Sequence, residues 1–224
     1  NLLDSLLQDS AANIKVCVVD NASPDNSLAV LAAKIDQPPF REFCQLVPAS
    51  KNGGFSAGNN VILQYFLSED SHNTDFVWLL NPDTEVKPGA LDAMLACMAT
   101  EPDAGICGSQ LLAVDGQQHV SAFRFHSLMT EALSAIRLGK LSALFPESNL
   151  VRPVTGNQPV KTDWVPGASM LIKTALLREV GLFDENYFLY FEETDFCLAA
   201  HRAGWSCWLV PESQVMHIEG QSTG

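Results

Sequence analysis

Hydrophobic and polar positions alternate in two rhythms along this chain. Ile14 to Val19, with Val16-Cys17-Val18-Val19 at its heart, is an apolar strand candidate of the kind buried on both faces. Ser23-Pro24 then reads as a helix N-cap and first helical position. Leu28, Leu31, Ala32 and Ile35 follow at a spacing near 3.6, which predicts a helix. Phe43 to Val47 predicts a second strand. A glycine-rich turn precedes a helix over Ser56 to Ser68. Phe76 to Leu80 predicts a third strand, stopped by Asn81-Pro82. Pro88 opens a helix to about Thr100, and Gly105 to Val114 reads as extended before an Asp115-Gly116 turn.

The pattern loosens between about 117 and 160, with one helix expected over Leu128 to Leu138 and a loop near 146–160. Order then returns. Trp164 to Ile172 predicts a strand around Pro166-Gly167, and Thr174 to Val180 a short helix with Gly181 at C′. Glu193 to Ala203 predicts a helix ended by Gly204, with extended pieces at Trp205 to Val210 and Val215 to Ile218. Strand–helix alternation through residue 114 predicts an α/β fold with a mainly parallel sheet. No repeat or low-complexity linker divides the chain, so one domain is expected over its 224 residues.

Composition narrows the functional classes. Hydrophobic residues make up 47% of the chain, which excludes a disordered segment. The 26 acids outnumber the 13 bases, giving a net charge of −13. Such a surface does not track phosphate backbones or anionic lipid. No run approaches the ~20 apolar residues of a membrane span, and no signal peptide opens the chain. The six cysteines form no Cys-x-x-Cys pair and sit in apolar runs, the usage of a reducing compartment. A cytoplasmic location is expected.

Four stretches carry candidate chemistry. Asp20-Asn21-Ala22-Ser23 follows the first strand, where open α/β sheets bind ligands; turn-shaping alone would also account for it. Lys51-Asn52-Gly53-Gly54 opens a helix whose N-terminus can face phosphate, although neither a P-loop nor a dinucleotide fingerprint is present. Asn81-Pro82-Asp83 follows a buried strand and offers a carboxylate to a hard divalent cation held against a diphosphate. An Asn-Pro-Asp turn is the plainer reading. Residues 184–195 hold five acids and no Lys or Arg, with aromatics between them. Glu192, Glu193 and Asp195 suit a helix N-terminus by charge alone, yet the aromatics beside them can raise a carboxyl pKa toward base duty. His217 is a ligand only if it meets Asp83 in space.

Taken in order, Asp20-Asn21, Asn52-Gly53-Gly54-Phe55, Asn81-Pro82-Asp83, Gly167-Ala168-Ser169, Phe183-Asp184-Glu185, Phe188 through Asp195 and His217 through Ser222 resemble the family 2 glycosyltransferases of GT-A fold. The rhamnosyltransferase-like branch is the nearest in flavour, and the resemblance runs from about residue 14 to 222. It implies a single GT-A domain, with a nucleotide-binding half over 1–114 and an acceptor-binding, catalytic half over 115–224. It implies inverting transfer of rhamnose or a hexose from dTDP-rhamnose or a UDP-sugar to a cell-surface glycan or lipid-linked precursor. Asp20, Asn21, Lys51, Asn52, Gly53 and Asn81 would bind the donor; Asp83 and His217 would hold Mg2+ or Mn2+. Glu193 would be the base, with Glu192 orienting or contacting the acceptor beside Trp164, Gly167 and Asp195.

Two departures accompany the resemblance. Asn81 replaces the first acid of the family's Asp-x-Asp, and Glu193 stands where Asp is commoner. The family normally opens on a strand ending in a nucleotide-contacting pair, whereas Asn1 to Leu7 resembles the helix after it, so the first strand is expected to be absent from this sequence. A non-catalytic nucleotide-sugar or glycan-binding relative is the alternative, and a metal phosphoesterase a more distant one. Nucleic acid is not expected as a partner. A peripheral position at the inner membrane face and a homodimer are compatible with the sequence.

Overall fold

The computed structural model describes residues 1–9, 14–67, 74–125 and 151–218. The helix expected over Leu128 to Leu138, and Gly220 and Ser222, lie outside the described residues. Among the described residues, six α-helices and a short 3-10 helix (Phe40–Glu42) flank two sheets. The α-helices are α1 (Leu2–Asp9), α2 (Ser27–Ile35), α3 (Gly54–Leu67), α4 (Ala90–Thr100), α5 (Thr174–Val180) and α6 (Glu192–Arg202). The strands are β1 (Val16–Asp20), β2 (Cys44–Pro48), β3 (Phe76–Leu80), β4 (Thr84–Val86), β5 (Ala104–Leu112), β6 (Val160–Thr162), β7 (Ser169–Lys173) and β8 (Ser206–His217).

β1 and β2 form a parallel pair. The larger sheet is mixed, in the order β3-β7-β5-β8-β4, with β6 also on β8. Only β5 and β8 run parallel within it. Strand–helix alternation foreshadowed more parallel pairing. The difference arises because β7, from the second half of the chain, enters antiparallel between β3 and β5.

β8 is one strand where the pattern suggested two. Pro211 breaks the apolar run and cannot donate to a ladder. The strand absorbs residues 211–213 as an irregularity between the Ser109↔Val210 and Gln110↔Gln214 pairs. Ser213 is turned inward there and hydrogen-bonds Ser109 at 2.8 Å. Beyond that break, β8 turns its other edge to β4 and sets His217 opposite Thr84.

Each face of the large sheet has its own core. Leu63 of α3, Leu176 and Leu177 of α5 and Phe196 of α6 pack with Ile106, Met170 and Ile172 on one side. Leu91, Met94 and Met98 of α4 cover Cys107, Leu171 and Val210 on the other. Each such side chain contributes about 1.5–3 kcal/mol when fully buried. Every position of β5 is buried, so the sheet is anchored through its centre. Helix α2 starts later than expected. Asp20 takes the Ser23 N–H at 3.3 Å and holds the chain in a turn, so Asn26, not Ser23, occupies the N-cap.

Candidate active site

The end of β1 and the glycine loop before α3 are stitched together by amides. Asn21 Nδ2 donates to Gly54 O at 2.9 Å and to Asn52 Oδ1 at 3.2 Å, and its Oδ1 accepts from Gly53 N at 3.4 Å. Asn52 Oδ1 also accepts from Gly54 N at 3.0 Å. These bonds set the loop's shape before any ligand arrives. A cavity of about 140 Å³ opens beside it, lined in part by Asn21, Lys51, Gly53, Gln64 and Glu185. The expected donor residues Asn21, Lys51, Asn52 and Gly53 are thus together. Asp20 lies under them, 5% exposed, with Oδ2 on the Ser23 amide.

A second grouping is built by β3, β4 and β8. The Asn81 N–H donates to Ala168 O at 3.0 Å, and Asn81 O accepts from the Thr84 hydroxyl at 2.7 Å. This fastens the Asn81-Pro82-Asp83 turn at the end of β3. The Ile218 N–H donates to Asp83 O at 2.9 Å, extending the β4–β8 pairing onto the turn. His217 Nε2 consequently lies 3.3 Å from Asp83 Oδ1, with the side chains 19% and 7% exposed. The two residues separated by 134 positions in sequence do meet.

The third grouping is the acid pair opening α6. Tyr190 and Phe191 both adopt left-handed backbone, φ 71° each, immediately before Glu192. Bulky residues pay about 1–3 kcal/mol for such conformations, which cluster at functional sites. Phe188, Tyr190 and Phe191 are exposed, while Glu192 is 4% exposed. Burial pushes the Glu193 carboxyl above the ordinary value of 4.5; its own backbone hydrogen bond opposes this, and the Glu192 charge adds to the rise. Burial likewise raises Glu192, against its backbone hydrogen bond. One helical position apart, the two side chains leave the helix in different directions, and each keeps a buried Oε2.

The acceptor residues expected from sequence are more dispersed. Gly167 packs under Phe55, whose Cζ would lie 2.8 Å from a Cβ there, so it serves a close approach. The Trp164 ring stacks on Phe123 at 4.1 Å and its Nε1 donates to Arg124 O at 3.3 Å. Asp195 occupies the first turn of α6. Sequence reading missed Gln64 and Glu185 as cavity residues, and Asn60, which binds Glu185. Glu185 was legible only as part of a family-like string, and Asn60 only as the last residue of the glycine-rich stretch that begins at Lys51; nothing marked Gln64 beyond its place on α3.

Buried polar atoms almost always find a partner. Among the described residues, the buried carboxyl oxygens without a hydrogen bond are Asp20 Oδ1, both oxygens of Asp83, Glu192 Oε2 and Glu193 Oε2, Asp83 Oδ1 having only its approach to the His217 imidazole. Ser56 Oγ, in the first turn of α3, shares that condition. These acids are the ones the sequence motifs singled out. A pair of lone-pair-rich oxygens beside an imidazole fits a hard divalent cation, which needs only one or two carboxylates when a diphosphate completes its shell. Among the described residues no group of three or more His, Cys, Asp or Glu side chains is arranged to hold a metal ion by itself.

The family model for glycosyl transferase family 2 matches residues 1–147. The chain belongs to this family. A curated relative, the N-acetylglucosaminyl-diphospho-decaprenol L-rhamnosyltransferase of Mycobacterium tuberculosis, is 31% identical over 99% of this chain and 72% of its own length. The solved structure of GalNAc-T7 with UDP, GalNAc and Mn2+ superposes with a TM-score of 0.71 at 13% identity, covering 99% of this chain and 41% of that one. The mannosyltransferase PcManGT of Pyrobaculum calidifontis, in complex with GDP-Man and Mn2+, gives 0.63 at 15% identity, covering 99% and 53%. The chain therefore spans about half or less of these solved neighbours, and the shared architecture is the GT-A fold. As a family 2 member it is a glycosyltransferase.

Proposed function

We propose that this glycosyltransferase moves a sugar, rhamnose or a hexose, from a nucleotide diphosphate to a hydroxyl of a lipid-linked or cell-surface glycan, with inversion. The observation that carries the reading is the coincidence of the unpartnered buried carboxyl oxygens with Asp20, Asp83, Glu192 and Glu193. The relative's decaprenol-linked acceptor supports the acceptor class, and its rhamnosyl transfer supports dTDP-rhamnose as donor. Residues 1–114 supply the donor half and 115–224 the acceptor half.

Asp20 offers its free oxygen to the nucleoside, and the glycine loop with Lys51 frames the nucleotide. Asp83, His217 and Asn81 would hold Mg2+ or Mn2+, which supplies neutralisation of charge growing on the departing diphosphate. Glu193 takes the proton of the acceptor hydroxyl as the acceptor oxygen bonds to the anomeric carbon. The bond from that carbon to the diphosphate oxygen breaks, and its electron pair leaves with the diphosphate. A raised pKa strengthens the carboxylate as a base, and burial excludes water from competing. Glu192 orients the acceptor beside Trp164, Gly167 and Asp195. Among the described residues no helix is long and apolar enough to cross a membrane. A lipid-linked acceptor would be met at the inner membrane face.

The test is a transfer assay with dTDP-rhamnose and UDP-hexoses against a synthetic polyprenyl-diphosphate N-acetylglucosamine, with product anomers read by NMR. One donor should give a product of inverted configuration. Nucleotide binding with neither transfer nor donor hydrolysis would instead identify a non-catalytic relative.

A further inference from the structure

The segment 183–188, which leads into the acid pair, is held from the donor side at several points. Asn60 of α3 is 2% exposed. Its Nδ2 donates to Phe183 O at 2.9 Å and to Glu185 Oε1 at 3.0 Å, and its Oδ1 accepts from Phe183 N at 3.2 Å. Every bond crosses more than 120 positions of sequence, so none belongs to helix formation. Earlier on α3, the Phe55 N–H donates to Phe188 O at 3.0 Å. The approach is so close that a Cβ on Gly54, which has φ +79°, would clash with Phe188 O. Glu185 in turn lines the cavity beside Lys51 and Gly53. The loop then runs through left-handed Tyr190 and Phe191 to Glu192. A strained segment keeps its shape only where its surroundings over-determine it.

We infer that Asn60 is a positioning residue, which through Phe183 and Glu185 fixes the loop carrying the Glu192–Glu193 pair and ties its placement to the donor cavity. The inference rests on the base reading of Glu193. A buried side chain using three hydrogen bonds on one distant segment fixes that segment more firmly than apolar contact would. A base displaced by an ångström loses much of its rate while the donor still binds. The expected signature is therefore loss of turnover without loss of donor affinity.

Asn60→Asp is near-isosteric. It keeps the acceptor for Phe183 N but loses both donated bonds and sets a carboxylate against Glu185. In the dTDP-rhamnose and UDP-hexose transfer assay, kcat should fall about tenfold or more, while calorimetric affinity for dTDP and UDP with Mn2+ stays within about threefold. The double variant Asn60→Asp/Glu185→Gln reverses donor and acceptor across that bond and should recover a clear part of the lost kcat. Glu185→Ala, at an exposed position that tolerates truncation, removes the same bond and should give a smaller kcat loss even if Asn60→Asp does not fold. Unchanged kcat in Asn60→Asp, a fall in nucleotide affinity equal to the fall in kcat, no recovery in the double variant, or unchanged kcat in Glu185→Ala overturns the inference. Glu193→Gln run alongside separates the two claims. Turnover retained there overturns the base reading, whereas turnover retained only in the Asn60 and Glu185 variants overturns the positioning role alone.

Discussion

The glycine loop and the acid sites treat their polar groups in opposite ways. At the loop, Asn21, Asn52, Gly53 and Gly54 satisfy one another, and the shape is complete without a ligand. At the acid sites, Asp83, Glu192 and Glu193 carry buried oxygens that no hydrogen bond in the described chain satisfies, Asp83 having only the His217 imidazole beside it. The first arrangement stabilises the fold and prepares a surface. The second costs stability and is explained by chemistry. Scaffold and reactive groups are thus separable by whether their hydrogen bonds close within the protein.

Substitutions that break this contrast should have graded effects. Glu193→Gln should have the largest, a loss of about 10³-fold or more in kcat with nucleotide affinity retained. The same variant should melt higher than wild type, by about 2 °C or more, because a carboxyl that burial holds above its ordinary pKa opposes folding when ionised. The sign is fixed by the raised folded value: the folded state binds the extra proton, so this contribution favours folding at low pH and is lost as pH rises through the raised pKa. A melting series of wild type and Glu193→Gln across pH 4 to 8 checks it, with the gap widening as pH rises.

Removing the cation with EDTA, or Asp83→Ala, should come next, lowering turnover about 100-fold or more. Restoring manganese should rescue the chelated enzyme and not the variant. The pH profile of wild-type kcat should then show an acid limb above the ordinary carboxylate value of 4.5, since Glu193 must be ionised to accept a proton. The smallest effect belongs to the scaffold. Asn21→Ala removes several closed hydrogen bonds, and should cost about 1–3 kcal/mol in stability and raise the donor KM without a matching loss of kcat.

Much of this contrast was legible in residues 14–114. Apolar runs foreshadowed β1 and β3, β2 and β5 read as extended despite Gln45 and Ser109-Gln110, and Asn81-Pro82 marked the end of β3 where the site begins. Short strands β4 and β6, three residues each, carry too little periodicity to read. The antiparallel entry of β7 between β3 and β5 is a long-range pairing, invisible to local pattern. Asp83 and His217 were paired only conditionally, because their meeting depends on β8 bypassing Pro211 as one strand. Asn60 escaped because a buried amide bonded across the fold looks, in sequence, like any polar helix residue, and Glu185 because an exposed turn carboxylate looks like any other.

The central claim is that the unpartnered carboxylates divide into a cation site and a base. Calorimetry of UDP and dTDP binding, with and without Mn2+, tests it most directly when run on wild type, Asp83→Ala and Glu193→Gln beside the transfer assay. The account predicts manganese-enhanced nucleotide binding in wild type and in Glu193→Gln, its loss in Asp83→Ala, and no transfer by either variant. Manganese-enhanced binding that survives in Asp83→Ala, or wild-type transfer by Glu193→Gln, would contradict it.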